Sequence, residues 1–255
     1  MHDPGSGPAA LVVLCLHETG TAGAIWSALS GALAGHATVL APDRPGWGTS
    51  GAPEGYARTT VPEQAGFAAS ILKEHGGGVV CGSGIGAAAA LELSLAEPDL
   101  VIGTVLVEPP LLSFVPEATV ELSADVAAIR EVVVNEGMEA VLDAYLDGRL
   151  SALGPGAERL PAEFSDRGPR ATSTLFAELS AVPEWERSDT ELAASRTPAM
   201  IVVAEDSPPF LLRAGSELAR VLGRSELREI GPGLPHTQSA SELAALVVEI
   251  GDSLA

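Results

Sequence analysis

The 255-residue sequence predicts an α/β fold, a mostly parallel twisted sheet flanked by helices, from three features. Continuous apolar runs such as Leu11-Val12-Val13-Leu14-Cys15-Leu16 and Met200-Ile201-Val202-Val203 have the composition of strands buried on both faces. Such runs alternate with helix-length segments, which implies right-handed crossovers and parallel pairing. The third feature is Val79-Val80-Cys81-Gly82-Ser83-Gly84-Ile85-Gly86-Ala87-Ala88-Ala89-Ala90-Leu91, which reads as a strand end, a sharp glycine turn and a tightly packed helix.

The strand over 11–16 runs into His17-Glu18-Thr19-Gly20, and Ala22 to Ala34 reads as a helix with Trp26 on its apolar side. Ala37-Thr38-Val39-Leu40 is a short strand. The loop after it, Ala41 to Ser50, has glycines for a tight turn and an Asp43 placed to pair with Arg44 or to cap backbone donors. A helix from about Val61 to Glu74 leads through Gly76-Gly77-Gly78 to the glycine-turn strand, and the next helix stops near Glu97-Pro98. Val101 to Val107 is a buried strand ending in Glu108-Pro109-Pro110. A carboxylate at the carboxyl end of such a strand lies where open α/β sheets bind ligands, and it is equally suited to cap the following segment or to form a rim salt bridge.

From Leu111 to about Thr197 the alternation gives way to helical patterns over 120–135, 138–150, 164–182 with a break near Gly168-Pro169, and 191–195. The sheet resumes at Pro198. A helix from Pro209 to Leu222, a strand from Glu226 to Ile230, the loop Gly231-Pro232-Gly233-Leu234-Pro235-His236-Thr237-Gln238 and a helix from Ser241 to Leu254 complete the chain.

Apolar residues make up 46% and aromatic residues 4%, so the core is expected to consist mainly of Ala, Leu and Val. The formal net charge of -20, from 34 acidic and 14 basic residues, argues against nucleic acid or an anionic membrane surface as a partner. The opening Met1-His2-Asp3-Pro4-Gly5-Ser6-Gly7-Pro8 lacks a basic region ahead of an apolar run, and no uninterrupted apolar stretch reaches the roughly 18 residues of a membrane span. Cys15 and Cys81 lie in strand-like runs as small buried hydrophobes. With scattered histidines they give no metal-ligand spacing, and no cofactor is expected. These features suit a cytoplasmic protein with reduced thiols, a monomer or homodimer acting on a small-molecule substrate.

The glycine turn resembles the nucleophile elbow of the α/β-hydrolase family, Gly-x-Ser-x-Gly. With Gly82 and Gly86 as the flanking glycines, the nucleophile slot holds Gly84. A frame shifted by one places Ser83 there and requires Ile85 where the elbow has a glycine. The looser dinucleotide fingerprint is also met by Gly82, Gly84 and Ala87, but the rest of the chain follows the hydrolase order. His17 matches the His-Gly loop of the family, with Glu18 in the glycine place, and the segment Asp43-Arg44-Pro45-Gly46-Trp47-Gly48-Thr49-Ser50 resembles its Asp-x-x-Gly-x-Gly-x-Ser loop.

The resemblance spans residues 10–254 and implies a core domain of residues 1–110 and 197–255 with a helical cap over 111–196, inserted after the strand that follows the elbow. It implies an oxyanion hole from the backbone N–H groups of Thr19 and Ile85, and a histidine loop carrying His236. Pro235-His236 also fits a second, non-catalytic Pro-His of the family, which would put Gly233 in the catalytic slot. The triad acid slot falls on Ser207, with Asp206 one residue early, and some members take the acid from the strand that here ends in Glu108. His17, Glu18, Phe114 and Tyr145 are candidate substrate contacts, His17 also being suited to anchor its loop.

Three functions fit these residues. The first is an enzyme on a small carbonyl compound that uses the oxyanion hole and proton transfer by His236, with Glu108 or Asp206, and no serine nucleophile: a lyase, cyclase, isomerase or water-attacking hydrolase. The second is a serine esterase, lactonase or thioesterase using Ser83 and His236. The third is a non-catalytic protein that binds a small ligand.

Overall fold

The computed structural model describes residues 11–252. The opening stretch Met1 to Pro8 and the predicted helix end at Leu254 lie outside the described residues. Six strands, β1 (Leu11–Leu16), β2 (Ala37–Leu40), β3 (Gly78–Ser83), β4 (Val101–Val107), β5 (Ala199–Ala204) and β6 (Ser225–Ile230), form one sheet in the order β2-β1-β3-β4-β5-β6. Every pairing is parallel. The chain steps from β1 outward to β2 and then returns to β3 on the other side of β1, so the topology reverses between β1 and β3. Crevices at the carboxyl ends of strands flanking such a reversal are where open sheets bind ligands.

Side chains alternate between the two faces of the sheet with the period of a strand. Leu14, Leu16, Val80, Leu106 and Ile201 pack against α2 (Val61–Glu74), α3 (Ile85–Ala96) and α8 (Pro209–Val221). Val13, Cys15, Val79, Cys81, Val105 and Val202 face the other way, toward α1 (Ser27–Ala32) and α9 (Ala240–Asp252). Both cysteines are buried and form no disulfide. Helix α2 begins where a capping box fixes it: Thr60 Oγ1 accepts the Glu63 N–H, and the Glu63 carboxylate accepts the Thr60 N–H at 2.8 Å. The segment between β4 and β5 carries α4 (Ala118–Asn135), α5 (Ala140–Leu146), α6 (Ala171–Glu178) and α7 (Asp189–Ala193). Trp47, from the loop after β2, is buried in the cluster formed by Val132, Val141, Leu142, Leu150 and Leu175 of that segment.

Three helices are shorter than the apolar pattern suggests. The 138–150 stretch yields only α5. The 22–34 stretch is a 3-10 turn, Gly23–Trp26, followed by the brief α1. Gly23 sits there with no room for a side chain, a Cβ falling 2.1 Å from Ala41 O. The 164–182 stretch yields only α6, because Gly168-Pro169 delays helix entry to Ala171. Among the described residues no helix is long and apolar enough to cross a membrane.

Candidate active site at the reversal of the sheet

The glycine turn is one residue long: β3 ends at Ser83, α3 begins at Ile85, and Gly84 between them has φ +58° and ψ -128°. An L side chain rarely tolerates that conformation. The flanking glycines are dictated by contact. A Cβ on Gly82 would lie 2.1 Å from Gly86 O, and one on Gly86 would lie 2.2 Å from Leu16 O and 2.9 Å from His17 O. Helix α3 therefore packs directly on the backbone of β1 and β3, and Ala87 to Ala90, all fully buried, keep that distance short. A Cβ on Gly84 would meet the Glu18 Cβ at 2.8 Å, so the Glu18 side chain already crosses the space above the turn.

The loop that delivers Glu18 is fixed by its neighbours. His17 is fully buried, and its Nε2 accepts the Arg44 N–H at 2.8 Å. The proton of the neutral ring therefore sits on Nδ1, 2.9 Å from the Glu18 carbonyl. Burial first, and Arg44 second, hold this imidazole well below the ordinary histidine pKa. Arg44 spans the interior: its Nε donates to His17 O at 2.7 Å, its Nη1 to Gln64 at 3.1 Å, and its Nη1 and Nη2 to Glu178 at 2.5 and 3.2 Å. Glu178, at the end of α6, also accepts from Trp47 Nε1 at 2.9 Å and from Thr19 Oγ1 at 2.7 Å. Asp43 takes the capping role instead of pairing with Arg44. Burial would raise its pKa, but donation from the Thr49 and Gly23 N–H groups and the Thr49 hydroxyl outweighs it and lowers the value.

His236 is fully buried beside Trp26, with ring centroids 4.8 Å apart and planes tilted by 44°. Its Nε2 lies 3.3 Å from Glu18 Oε1. The contact has the distance of an ion pair without the angle of a hydrogen bond, and Nδ1 has no partner among the described residues. The same Oε1 accepts the Ser83 hydroxyl at 3.3 Å. Glu108, at the end of β4 with a strained φ of +45°, is occupied elsewhere: Ser207 Oγ donates to it at 2.5 Å, and Arg159 pairs with its other oxygen. Asp206 is half-exposed and accepts the Gly233 N–H at 2.8 Å, which steadies the loop bearing His236.

These groups border a small, partly enclosed cavity. Glu18, Thr19, Ser83, Gly84, Ile85, Glu108 and Tyr145 line it. Leu112, Leu153, Val182 and Leu211 supply apolar wall. His17 lies beneath it as an anchor, and Phe114 packs against the core cluster next to α3. His236 does not reach the wall, because Glu18 stands between it and the cavity. The Thr19 and Ile85 N–H groups have no protein acceptor among the described residues. Burial, then the charges of Glu18 and Glu178, push the Tyr145 phenol far up, so it stays a hydrogen-bond donor.

Sequence reasoning missed Glu178, which is the acceptor for Arg44, and missed the Glu18–His236 contact. A lone carboxylate in the apolar run Leu175-Phe176-Ala177-Glu178-Leu179 was the available signal for the first. Glycine at position 84 opposite a long side chain at 18 was the signal for the second.

The model of the Alpha/beta hydrolase family matches residues 13–246. Among solved structures, an esterase from Thermogutta terrifontis superposes with a TM-score of 0.71 at 20% identity, over 96% of this chain and 90% of that one. The enol-lactonase from Burkholderia xenovorans LB400 gives 0.65 at 19% identity, over 95% and 92%. MenH from S. aureus gives 0.74 at 15%, over 95% and 94%. No curated protein matches the sequence.

Proposed function

Because the chain belongs to the alpha/beta hydrolase family, we propose that it is an enzyme that polarises the carbonyl of a small organic substrate and moves protons at the His236 centre, without a serine nucleophile. The observation that carries this reading is Gly84, the residue between β3 and α3, where relatives built on this turn present their attacking side chain. Glycine brings no atom to attack with, so covalent acyl transfer from that position is not available. The rest of the machinery for carbonyl chemistry is retained. The Thr19 and Ile85 N–H groups border the cavity as an oxyanion hole, and residues 111–196 act as a cap that excludes water and shapes the apolar wall.

His236→Ala tests this reading. Turnover is expected to fall by a factor of about 100 or more, because losing the imidazole dismantles the centre through which protons move. Turnover within a few-fold of the parent would reject it.

The second reading, a serine esterase using Ser83, is favoured by one contact: the Ser83 hydroxyl lines the cavity and bonds the carboxylate that touches His236. A fluorophosphonate adduct on Ser83 of the native protein would replace the first reading with this one.

A further inference from the structure

Three carboxylates border the cavity, and two of them are neutralised. Glu178 is paired with Arg44 and Glu108 with Arg159. Glu18 has no lysine or arginine within 4.0 Å among the described residues; its neighbours are the His236 imidazole and the Ser83 hydroxyl, both 3.3 Å from the same oxygen. Its side chain crosses the space that a Cβ on Gly84 would enter. It also separates a fully buried imidazole from the cavity, so a substrate meets Glu18 before it meets His236. A carboxylate that accepts one hydroxyl and only borders an imidazole, at the mouth of the proposed oxyanion hole, has both the lone pair and the access that proton abstraction needs.

We propose that Glu18 is the catalytic base: its Oε1 takes a proton from a water molecule that attacks the substrate carbonyl, with His236 holding the carboxylate in place. This rests on the reading that the enzyme works without a serine nucleophile. In the attack, a water O–H bond breaks, its proton binds Glu18 Oε1, and the water oxygen bonds to the carbonyl carbon. The carbonyl π pair moves onto oxygen, facing the Thr19 and Ile85 N–H groups. Collapse of the tetrahedral adduct restores the C=O bond and expels the leaving group, which takes the proton back from Glu18. The carboxylate is regenerated and no other reactant is consumed. Glu18 is then a catalytic residue and His236 a positioning residue that acts through it.

The test has two arms. In the first, hydrolysis of 4-nitrophenyl acetate is compared for the parent and Glu18→Gln, which keeps the shape and cannot accept the proton, with far-UV circular dichroism confirming the fold. A fall in kcat of about 100-fold or more with KM within a few-fold is expected. Parent protein no faster than Glu18→Gln overturns the proposal. In water enriched in ¹⁸O, a single turnover should label the acetate and leave the Glu18 peptide unlabelled, whereas label in that peptide would mean that Glu18 attacks the carbonyl itself and would overturn the role as base.

The second arm needs no substrate. Gly84→Ser alone should not react with a fluorophosphonate, because Glu18 blocks the new side chain. Gly84→Ser combined with Glu18→Gly should react at the introduced hydroxyl, since the space is then open beside His236. Equal labelling of the two variants would show that Glu18 does not occupy that space. Loss of activity in His236→Ala with full activity in Glu18→Gln would remove Glu18 alone, while an adduct on Ser83 of the parent would remove the serine-free reading beneath it.

Discussion

Removing the Glu178 carboxylate should destabilise the protein as only the loss of a buried charge partner can. Glu178 and Arg44 are 0% and 1% exposed, and the carboxylate accepts from Arg44 at 2.5 and 3.2 Å, from Trp47 at 2.9 Å and from Thr19 at 2.7 Å. Glu178→Ala leaves a guanidinium uncompensated in the interior, which costs roughly 3–5 kcal/mol when one partner of a buried pair is deleted. An orphaned indole N–H and hydroxyl each add about 1 kcal/mol at most, since water entering the hole relieves part of the loss. A net loss of about 4 kcal/mol in a chain of this size corresponds to a fall in Tm of about 8–16 °C by scanning calorimetry. Replacing both charges, Arg44→Met with Glu178→Met, should recover a large part of that fall, because no unpaired charge is then buried. A fall below about 3 °C for Glu178→Ala would put the pair in the class of solvated surface bridges and refute the reasoning. Thr19 loses its anchor in the same variant, so catalysis should weaken even at temperatures where the protein stays folded.

The pH dependence of stability should carry the signature of His17. Its folded pKa is depressed by burial and by Arg44, so its contribution is complete above the unfolded value near 6.5 and is lost as pH falls below that value, by up to about 1.4 kcal/mol per unit. Urea unfolding between pH 7 and 5.5 should show the slope, and His17→Gln should flatten it; an unchanged slope would assign it to another group. Gly86→Ala should lose about 3 kcal/mol or more, or fail to accumulate as soluble protein, because its Cβ falls 2.2 Å from Leu16 O. Gly66→Ala, in α2 with nothing within 4 Å of its Cβ, should be stabilised by up to about 1 kcal/mol, and the contrast in denaturation midpoints checks the close approach of α3 to β1.

The sheet was legible because its signal is local. Strands buried on both faces must be nearly continuously apolar; 11–16 and 199–204 are apolar throughout, and 101–107 is interrupted only at Gly103 and Thr104. Helix ends were less so: Gly23 and Gly168-Pro169 act through sterics that an apolar pattern does not encode. In the site, the glycines at 82 and 86 announced the turn, since only they fit against Leu16 and against each other. The partners of the charged residues were not readable. Arg44 lies beside Asp43 in sequence yet reaches 134 positions along the chain to Glu178, and His236 meets a carboxylate from the first loop, not Glu108 or Asp206. Pairings of that kind are set by how the layers stack, and the spacing of the residues carries no trace of it.

The mutual exclusion between positions 18 and 84 shapes how this chain can vary. Any residue larger than glycine at 84 meets both an unfavourable backbone angle and the stem of Glu18, while shortening residue 18 alone strips the carboxylate from His236 and installs nothing in return. On the proposed mechanism each single change is a loss and only the paired change opens another chemistry, so the two positions form a valley that stepwise descent does not cross. In descendants of this sequence they should be inherited as a unit.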